Sequence, residues 1–303
     1  MMTPSKTGRV GIIGGTGLGD ALAALGGEPV PIETPFGPPS DTPIVANWEG
    51  SDVAFISRHG AGHRLNPSVV PYRANIWALK ELGVSSIIAS GAVGSLREDI
   101  EPGHLVLCDQ VIDKTFRRAG TFFDQGIVAH VEFADPFCPM LRSLLASAGK
   151  CVSTTIHHAG TYVCMEGPQF SSRAESLMHR QLGGDLIGMT CMPEAKLARE
   201  AELCYSLIAL PTDYDCWRPV NRNRGPDDLL PEILANLRRA TDHAIQLIRE
   251  ALKLMKTPPA PCRCRDALKL AIWSDKKQID PEVRKRLHPL IGRHLADNDG
   301  TMI

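Results

Sequence analysis

The sequence predicts an α/β fold in which helices flank a central β-sheet. Short β-rich runs alternate with helical stretches from residue 8 to residue 212, which is the pattern of layered α/β proteins. Hydrophobic residues make up 43% of the chain and charged residues 22%, as in a folded protein rather than a disordered one. Single cores stop growing at roughly 250–300 residues. The 303 residues could therefore bury one large core or two small ones, and one α/β domain with a helical tail is the simplest interpretation.

The elements of the first half follow from apolar runs and their ends. The predicted strands are GRVGIIGG, VAFISRHG and VSSIIASGAVGS, and the last is expected to run into a glycine-containing loop. Before that last strand, the segment YRANIWALKELG places Ile76, Leu79 and Leu82 on one helical face. Gly83 follows as the stop signal of this helix.

The second half continues the alternation of strands and helices. We expect HLVLCDQVID, DLIGMT and SLIALPT to be strands, and PMLRSLLASAG and AKLAREAELC to be helices. Ser172 and Glu175 have the spacing of a capping box that opens a helix closed by Gly183. A long amphipathic helix is predicted from Pro231 to about Leu254. After the linker TPPAPCRCR, the segments DALKLAIWS and PEVRKRLHPLIGRHL are two further helical pieces, expected to pack on the main domain.

Charge and hydropathy exclude two classes of partner. Lys and Arg number 33 against 34 Asp and Glu, a net charge of −1, whereas a bulk nucleic-acid binder carries a basic excess. The chain has no apolar run of about 18 residues or more, so no membrane partner is expected. The first residues lack the apolar region of a signal peptide, which predicts a cytoplasmic location.

Nine cysteines raise the question of disulfides or a metal site. Seven lie between Cys108 and Cys216, mostly in apolar runs where a cysteine serves as a small buried hydrophobe. The other two form the pair Cys262 and Cys264. No Cys-x-x-Cys pair occurs, so we expect no zinc, and cytosolic disulfides are rare. Reduced structural thiols are the favoured interpretation, and a disulfide remains the alternative for Cys262 and Cys264.

Three predicted strand ends carry groups that suit an oxyanion. The first, Gly14-Gly15-Thr16-Gly17, fails the dinucleotide fingerprint because Asp20 stands at the last glycine position, and it has no P-loop lysine. Its backbone N–H groups and its hydroxyl could hold a free phosphate, and a tight turn is the alternative.

Arg58 and His59 end a second strand, and residues 90–95 form the third loop. The guanidinium fork and the imidazole both suit phosphate, although a cationic pair at a strand end is often only surface charge. No single strand end is specific, but the three together favour an anion site at one edge of the sheet.

Carboxylates follow two later strands. Glu166 and Phe170 occur in MEGPQF, for which an ordinary turn is the alternative. Asp213 and Asp215 follow SLIALPT, and in an extended stretch both would point to one face. Two like charges so close raise at least one pKa, which suits proton donation to a leaving group. The alternative is a solvated acidic turn.

The chain resembles the 5′-methylthioadenosine phosphorylases, a branch of the trimeric purine nucleoside phosphorylases, over about Val10 to Ile248. The order and spacing of the following segments carry the resemblance: GIIGGTGL, SRHGAGHRLNPSVVPYRANIWALKELG, GSLREDIEPGHLVLCDQVID, EGPQFSSRAES, MTCMPEAKLAREAELCY and TDYDCW. It implies a single-domain, mixed and partly barrel-like central sheet in a nucleoside phosphorylase domain over residues 8–256. A C-terminal helical extension over residues 257–303 would pack on that domain.

The resemblance also implies a role for each site residue. Phosphate would be held by Thr16, Arg58, His59, the Ala92 backbone and Thr190. The nucleoside would contact Ala92, Phe170, Met189, Asp213 and Asp215, and His130 would reach into a neighbouring subunit's 5′ pocket, completed by Leu230, Ile233 and Leu234. One position departs from the family, because Ser90-Gly91 stands where two threonines commonly precede alanine.

The implied activity is that of a pentosyltransferase of purine and methionine salvage. It would cleave 5′-methylthioadenosine with inorganic phosphate as co-substrate, giving adenine and 5-methylthioribose 1-phosphate, without a cofactor or a metal. Asp213, His59 and Arg58 would be catalytic, in a homotrimer or a dimer of trimers. The two carboxylates favour a 6-amino purine, because a carboxylate accepts from N6 whereas a 6-oxo purine wants a donor such as Asn. The alternatives are a phosphorylase of 5′-methylthioinosine or of inosine and guanosine, and a non-enzymatic purine or phosphate sensor.

Overall fold

The computed structural model describes residues 8–18, 26–219, 226–255 and 262–295, with the backbone alone for residues 226–229. Eleven strands of this described part form one sheet. They are β1 (Arg9–Gly14), β2 (Glu28–Pro29), β3 (Ile44–Trp48), β4 (Ser51–Ser57), β5 (Val84–Ser95), β6 (Leu105–Leu107), β7 (Gln110–Asp113), β8 (Ile156–His157), β9 (Thr161–Cys164), β10 (Leu186–Gly188) and β11 (Cys204–Asp213). The helices are α1 (Tyr72–Glu81), α2 (Pro139–Ala148), α3 (Arg173–Gln181), α4 (Cys191–Glu200), α5 (Pro226–Leu254) and α6 (Pro281–Leu295).

The long central strand β5 organises the sheet. Its first half pairs in parallel with β1, and nearly its whole length pairs in parallel with β11. At its end, Gly94 and Ser95 pair antiparallel with β10. The sheet therefore forks at β5 into one arm of β10, β9 and β7 and another of β11, β6 and β8. The outer strands β4, β3 and β2 extend the β1 side, with β3 antiparallel to both of its neighbours.

Helices cover both faces of the sheet because the strand side chains alternate between two cores. In β1, Ile13 belongs to the core that α1, α4 and α6 cover, whereas Ile12 belongs to the core under α2 and α5. In β5, Ile87 and Ile88 divide in the same way. Both faces of these strands are buried, which is why they read as continuous apolar runs. The α/β class, with a mixed central sheet flanked by helices, is confirmed.

Several local predictions are confirmed and others are wrong. Ser172 and Glu175 form the capping box of α3, and Gly183 follows the helix with φ +82°. Residues 90–95 are not a loop, because they continue β5 and are held there by β10 and β11. HLVLCDQVID forms two strands, since β6 pairs with β8 and β11 while β7 pairs with β9. The long helix starts at Pro226 rather than Pro231.

The C-terminal segment over residues 262–295 packs into the core of the α/β layers. Leu268, Leu287 and Ile291 are fully buried in the same cluster as strands β1 and β5. The predicted helix in DALKLAIWS is wrong. A 3₁₀ turn (Arg263–Asp266) ends at the first residue of this segment, residues 267–271 form turns, and Ile272 makes a bridge to Ala129. The predicted boundary between residues 256 and 257 lies outside the described residues. None of the described helices combines the length and the apolar character needed to cross a bilayer.

Leu287→Ala tests whether this segment shares the main core. The side chain is fully buried, so its truncation should lower the free energy of unfolding by about 2–5 kcal/mol. Leu270→Ala is the matched control, because Leu270 is 86% exposed and its loss should cost less than about 0.5 kcal/mol. Urea unfolding of both variants measures the difference. Equal midpoints for the two would contradict a shared core.

Candidate active site

The loops after β1 and β4 enclose a cavity of about 90 Å³. The two strands are parallel neighbours with Gly14 opposite Ser57, so their carboxyl ends meet at one edge of the sheet. The structure thereby brings Thr16 and His59 together. The cavity is lined by Gly14, Gly15, Thr16, Gly17, Ser57, His59, Gly60, Gly62 and His63. Backbone N–H groups, a hydroxyl and imidazoles at a strand edge form an arrangement that suits an oxyanion.

Arg58 lies behind this cavity and is fully buried. Its Nε and Nη2 donate to the two carboxylate oxygens of Glu194 at 2.8 and 2.7 Å, and Nη1 donates to the Ser90 carbonyl at 2.7 Å. Burial alone would lower the pKa of Arg58, but the Glu194 carboxylate outweighs it and holds that pKa above its ordinary value. A Cβ on Gly15 would stand 2.9 Å from Arg58 Nη1, so only glycine lets the first loop approach the guanidinium.

Glu194 is a site residue that the sequence reasoning missed. Its side chain is buried on α4, and Tyr205 Oη donates to its Oε1 at 2.8 Å. The available signal was indirect: a buried arginine requires a carboxylate partner, and Glu194 is flanked by apolar residues in the segment MPEAKLARE. Which carboxylate supplies that partner is decided by the packing of α4 against β11.

His59 is neutral in this environment. Burial, reinforced by the Arg58 charge, lowers its pKa to about 4. Its Nδ1 lies 2.7 Å from the Leu65 carbonyl, which can only accept, so Nδ1 carries the proton and Nε2 is left as an acceptor. The ring stacks on His63 with 4.2 Å between centroids. A neutral His59 is thus suited to accept a hydrogen bond from a protonated phosphate oxygen.

Gly91 and Thr190 lie side by side where β5 passes β10. A Cβ on Gly91 would make an ordinary contact of 3.5 Å with Thr190 Oγ1, and Gly91 has no positive φ. Glycine is therefore not required here by the backbone or by space. Thr190 is buried, and Ala92, which follows Gly91 in the chain, is half-buried. The hydroxyl expected at position 91 is absent, and the nearest side-chain atom to a Cβ there is the Thr190 hydroxyl oxygen, at 3.5 Å.

Asp213 and Asp215 lie at the carboxyl end of β11, close to Gly94 of β5. The stretch does not stay extended after Asp213, because Asp215 has φ +50° and its N–H donates to Asp213 Oδ1 at 2.7 Å. The hydroxyl of Thr212 lies 2.7 Å from Asp213 Oδ2. Burial raises the pKa of Asp213 above its ordinary value. Asp215 Oδ2 is buried without a hydrogen-bond partner among the described residues.

A second buried arginine, Arg118, connects the ends of β9 and β10 and was also missed. Its guanidinium donates to the carbonyls of Met189 at 2.5 Å and of Glu166 at 2.6 Å. The Glu166 carboxylate accepts from the same arginine at 3.3 Å and from the Phe116 N–H at 2.8 Å. These bonds fix the backbone of Met189 next to Thr190. Phe170, on the same exit from β9, is 84% exposed.

Comparison with known proteins identifies the family. A profile of the phosphorylase superfamily matches residues 9–253. The S-methyl-5′-thioadenosine phosphorylase of Geobacter sulfurreducens is 46% identical over 287 residues, which cover 94% of this chain and 99% of that protein. The chain belongs to the S-methyl-5′-thioadenosine phosphorylase family.

Solved structures agree with this family assignment. A methylthioadenosine phosphorylase from an Antarctic soil metagenomic library is 45% identical with a TM-score of 0.85, covering 94% of this chain and 99% of that one. A variant of the adenosine/methylthioadenosine phosphorylase of Schistosoma mansoni, in complex with methylthioadenosine, is 33% identical with a TM-score of 0.75. The alignment with it covers 94% of this chain and 98% of that one.

The remaining predicted site residues of this phosphorylase lie on its surface. His130 is exposed, and its ring contacts Trp273 edge to face at 4.7 Å. On α5, Leu230 is 60% and Leu234 is 43% exposed, and Ile233 is half-buried. The assignment of these four residues to a 5′ pocket between subunits stays a prediction.

Glu194→Gln tests the importance of the buried ion pair. An amide opposite the guanidinium leaves a buried cation without its counter-charge, so the free energy of unfolding should fall by about 3–5 kcal/mol. Asp99→Asn is the matched control, because Asp99 pairs with Arg97 on the surface and such pairs contribute about 0–1 kcal/mol. Chemical denaturation of the two variants provides the comparison. A similar small loss for both would show that Glu194 is not needed to hold Arg58.

Proposed function

We propose that this protein catalyses the phosphorolysis of 5′-methylthioadenosine to adenine and 5-methylthioribose 1-phosphate. One observation carries the proposal: the buried and unpartnered Oδ2 of Asp215, beside Asp213, at the same edge of the sheet as the anion cavity. A buried acceptor without a protein partner is available to a donor on a ligand. Family membership and the methylthioadenosine and adenine complexes of relatives support it.

The anion cavity is proposed as the site of inorganic phosphate. Thr16 and His59 line it, and Arg58 Nη1 lies against Gly15 of its wall. Thr190 and the Ala92 backbone would complete the phosphate site from the β5 and β10 side. Because Glu194 neutralises much of the Arg58 charge, the cavity would bind phosphate mainly through directed hydrogen bonds. A chain with a net charge of −1 can hold one anion in this way without a basic surface.

Asp213 is proposed to assist departure of the base. Cleavage between N9 and C1′ leaves positive charge on the sugar, which bound phosphate stabilises, and negative charge on the purine. The raised pKa of Asp213 increases the share of its protonated form, which can donate to purine N7. The Thr212 hydroxyl lies 3.3 Å from the Val93 carbonyl and can donate its proton to that oxygen. Its Oγ1 can then accept a hydrogen bond from protonated Asp213 until the purine binds.

Asp215 is proposed to recognise the 6-amino group. Its free Oδ2 can accept from N6 of adenine, whereas a 6-oxo purine would place an acceptor against it. The backbone N–H of Asp215 is bound to Asp213, so the two carboxylates keep a fixed relation. This geometry favours 6-amino over 6-oxo purines and disfavours the 5′-methylthioinosine, inosine and guanosine alternatives.

The sugar and the 5′ group are proposed to lie between Met189 and a neighbouring subunit. Arg118 holds the Met189 backbone, which would lie beneath the ribose, and exposed Phe170 would stack on the substrate. Exposed His130 of one subunit would reach the apolar residues Leu230, Ile233 and Leu234 of the next. We propose a homotrimer, single or paired, acting in the cytoplasm without a resident cofactor.

A substrate panel with and without phosphate tests the reaction. Adenine should be released from 5′-methylthioadenosine only when phosphate is present. An apolar 5′ pocket distinguishes methylthio from hydroxyl by about 1–3 kcal/mol, so adenosine should react roughly 10- to 200-fold more slowly. Adenine release without phosphate would indicate a hydrolase, and binding without turnover would indicate the sensor. Either result would contradict the proposal.

Asp215→Asn and Asp213→Asn separate recognition of the base from its protonation. Asp215→Asn places a donor where N6 donates, so the preference for 5′-methylthioadenosine over 5′-methylthioinosine should fall by about 10- to 100-fold in kcat/KM. Asp213→Asn should lower kcat for both substrates by about 10²-fold, because an amide can hydrogen-bond N7 without transferring a proton. If only Asp213→Asn changed the preference, the two roles would be reversed.

A further inference from the structure

Four cysteines from distant parts of the chain meet at one point. Cys138 precedes α2, Cys204 begins β11, and Cys262 and Cys264 come from the C-terminal segment. All four Sγ atoms lie within 4.8 Å of one another, and those of Cys138 and Cys262 are 3.5 Å apart. None of the four residues is more than 9% exposed. The prediction of scattered apolar thiols missed this cluster, because the spacing of these cysteines along the chain does not show it.

The four sulfurs match the donor set of one metal ion. A tetrahedral centre with metal–sulfur bonds of about 2.3 Å separates its sulfurs by roughly 3.8 Å. The observed separations, from 3.5 Å for one pair to at most 4.8 Å, include that value. Four thiols without imidazole or carboxylate select a soft or borderline ion, and tetrahedral zinc is the commonest. We propose that Cys138, Cys204, Cys262 and Cys264 bind one structural Zn²⁺.

The surroundings of the cluster offset the negative charge of four thiolates. Cys138 is the N-cap of α2, and the Leu141 N–H donates to its Sγ at 3.5 Å. The N-terminus of this helix directs its positive dipole end at the same sulfur. Arg265 adds a cation nearby, and its N–H donates to the Cys262 carbonyl at 3.0 Å, which fixes the Cys-x-Cys turn. Hydrogen bonds to the ligands are the expected support of a metal site.

An access route to the cluster is present. A cavity of about 130 Å³ borders Cys138, Cys204 and Cys262. Its other walls include Met140, Leu144 and Met255. The cluster therefore borders a cavity and is not sealed by protein on every side. With four protein ligands no coordination position remains for substrate, so the ion would be structural rather than catalytic.

The proposed ion would fasten the C-terminal segment to the α/β layers. Two of the ligands belong to the α/β layers and two to the C-terminal segment. The C-terminal segment also holds the loop that carries His130. The Ala271 carbonyl accepts from the His130 N–H at 2.9 Å, and the Trp273 N–H donates to the Val128 carbonyl at 3.0 Å. The proposal is independent of the phosphorylase reaction, because the cluster is separate from the residues assigned to it.

Metal analysis of the full chain, purified without metal-affinity steps or chelators, tests the site. Elemental analysis by inductively coupled plasma mass spectrometry should find about one zinc per chain. Cys264→Ser and Cys138→Ser should lower the zinc content at least tenfold, since loss of one thiolate weakens a four-ligand site. Cys108→Ser, at a buried thiol outside the cluster, and Cys151→Ser, at an exposed one, should keep the wild-type content. Zinc that survives in Cys264→Ser would overturn the assignment.

A second measurement needs no variant, in case the serine substitutions prevent folding. Wild-type chain refolded with Co²⁺ should show the d–d bands of a tetrahedral site and intense thiolate-to-cobalt bands. Removal of zinc by a chelator should make the four cluster thiols reactive and lower the thermal midpoint. Wild-type protein with four free thiols and no metal would overturn the proposal. An intact mass that is four hydrogens below the mass of the fully reduced chain would also overturn the proposal, because it would show two disulfide bridges.

Discussion

The buried ion pair between Arg58 and Glu194 is the constraint on which the site depends. Arg58 is fully excluded from solvent, so its charge is tolerable only with a bidentate carboxylate and the Ser90 carbonyl around it. These bonds join the exit of β4 to α4 and to the middle of β5. The first loop can then approach only because Gly15 has no side chain. One electrostatic requirement thus fixes the relative positions of three segments around the anion cavity.

The fork of the sheet at β5 places the other half of the site. Strand β5 pairs with β1 and then with β10 along one edge, and with β11 along the other. Its end therefore lies between β10 and the end of β11 that carries Asp213. Arg118 acts here as Arg58 does on the other side, by holding carbonyls from two strand exits at fixed positions. Both arginines therefore organise the backbone that is proposed to bind the substrate, and most of their donors are used within the protein.

The cysteine cluster belongs to a different part of the molecule from the proposed catalytic groups. It joins the C-terminal segment to α2 and β11, while Leu268, Leu287 and Ile291 bury the same segment against the sheet. The segment in turn holds the backbone of Val128 and His130. A stable attachment of this extension would therefore be important for the contact that His130 is proposed to make with a neighbouring subunit.

The sequence by itself determined the α/β class and most helices and strands. It also pointed to the glycine, histidine and aspartate residues that the structure places at one edge of the sheet. Apolar periodicity, capping residues and motif order are local signals, and the structures that they predict are kept in the folded protein. The tertiary structure alone decided that residues 90–95 remain a strand, that Asp215 turns back onto Asp213, and that Glu194 and Arg118 complete the site. It also decided that four cysteines meet. Pairings of this kind depend on which distant segments pack together, and a buried charge or thiol does not reveal its partner through its own neighbours in the chain.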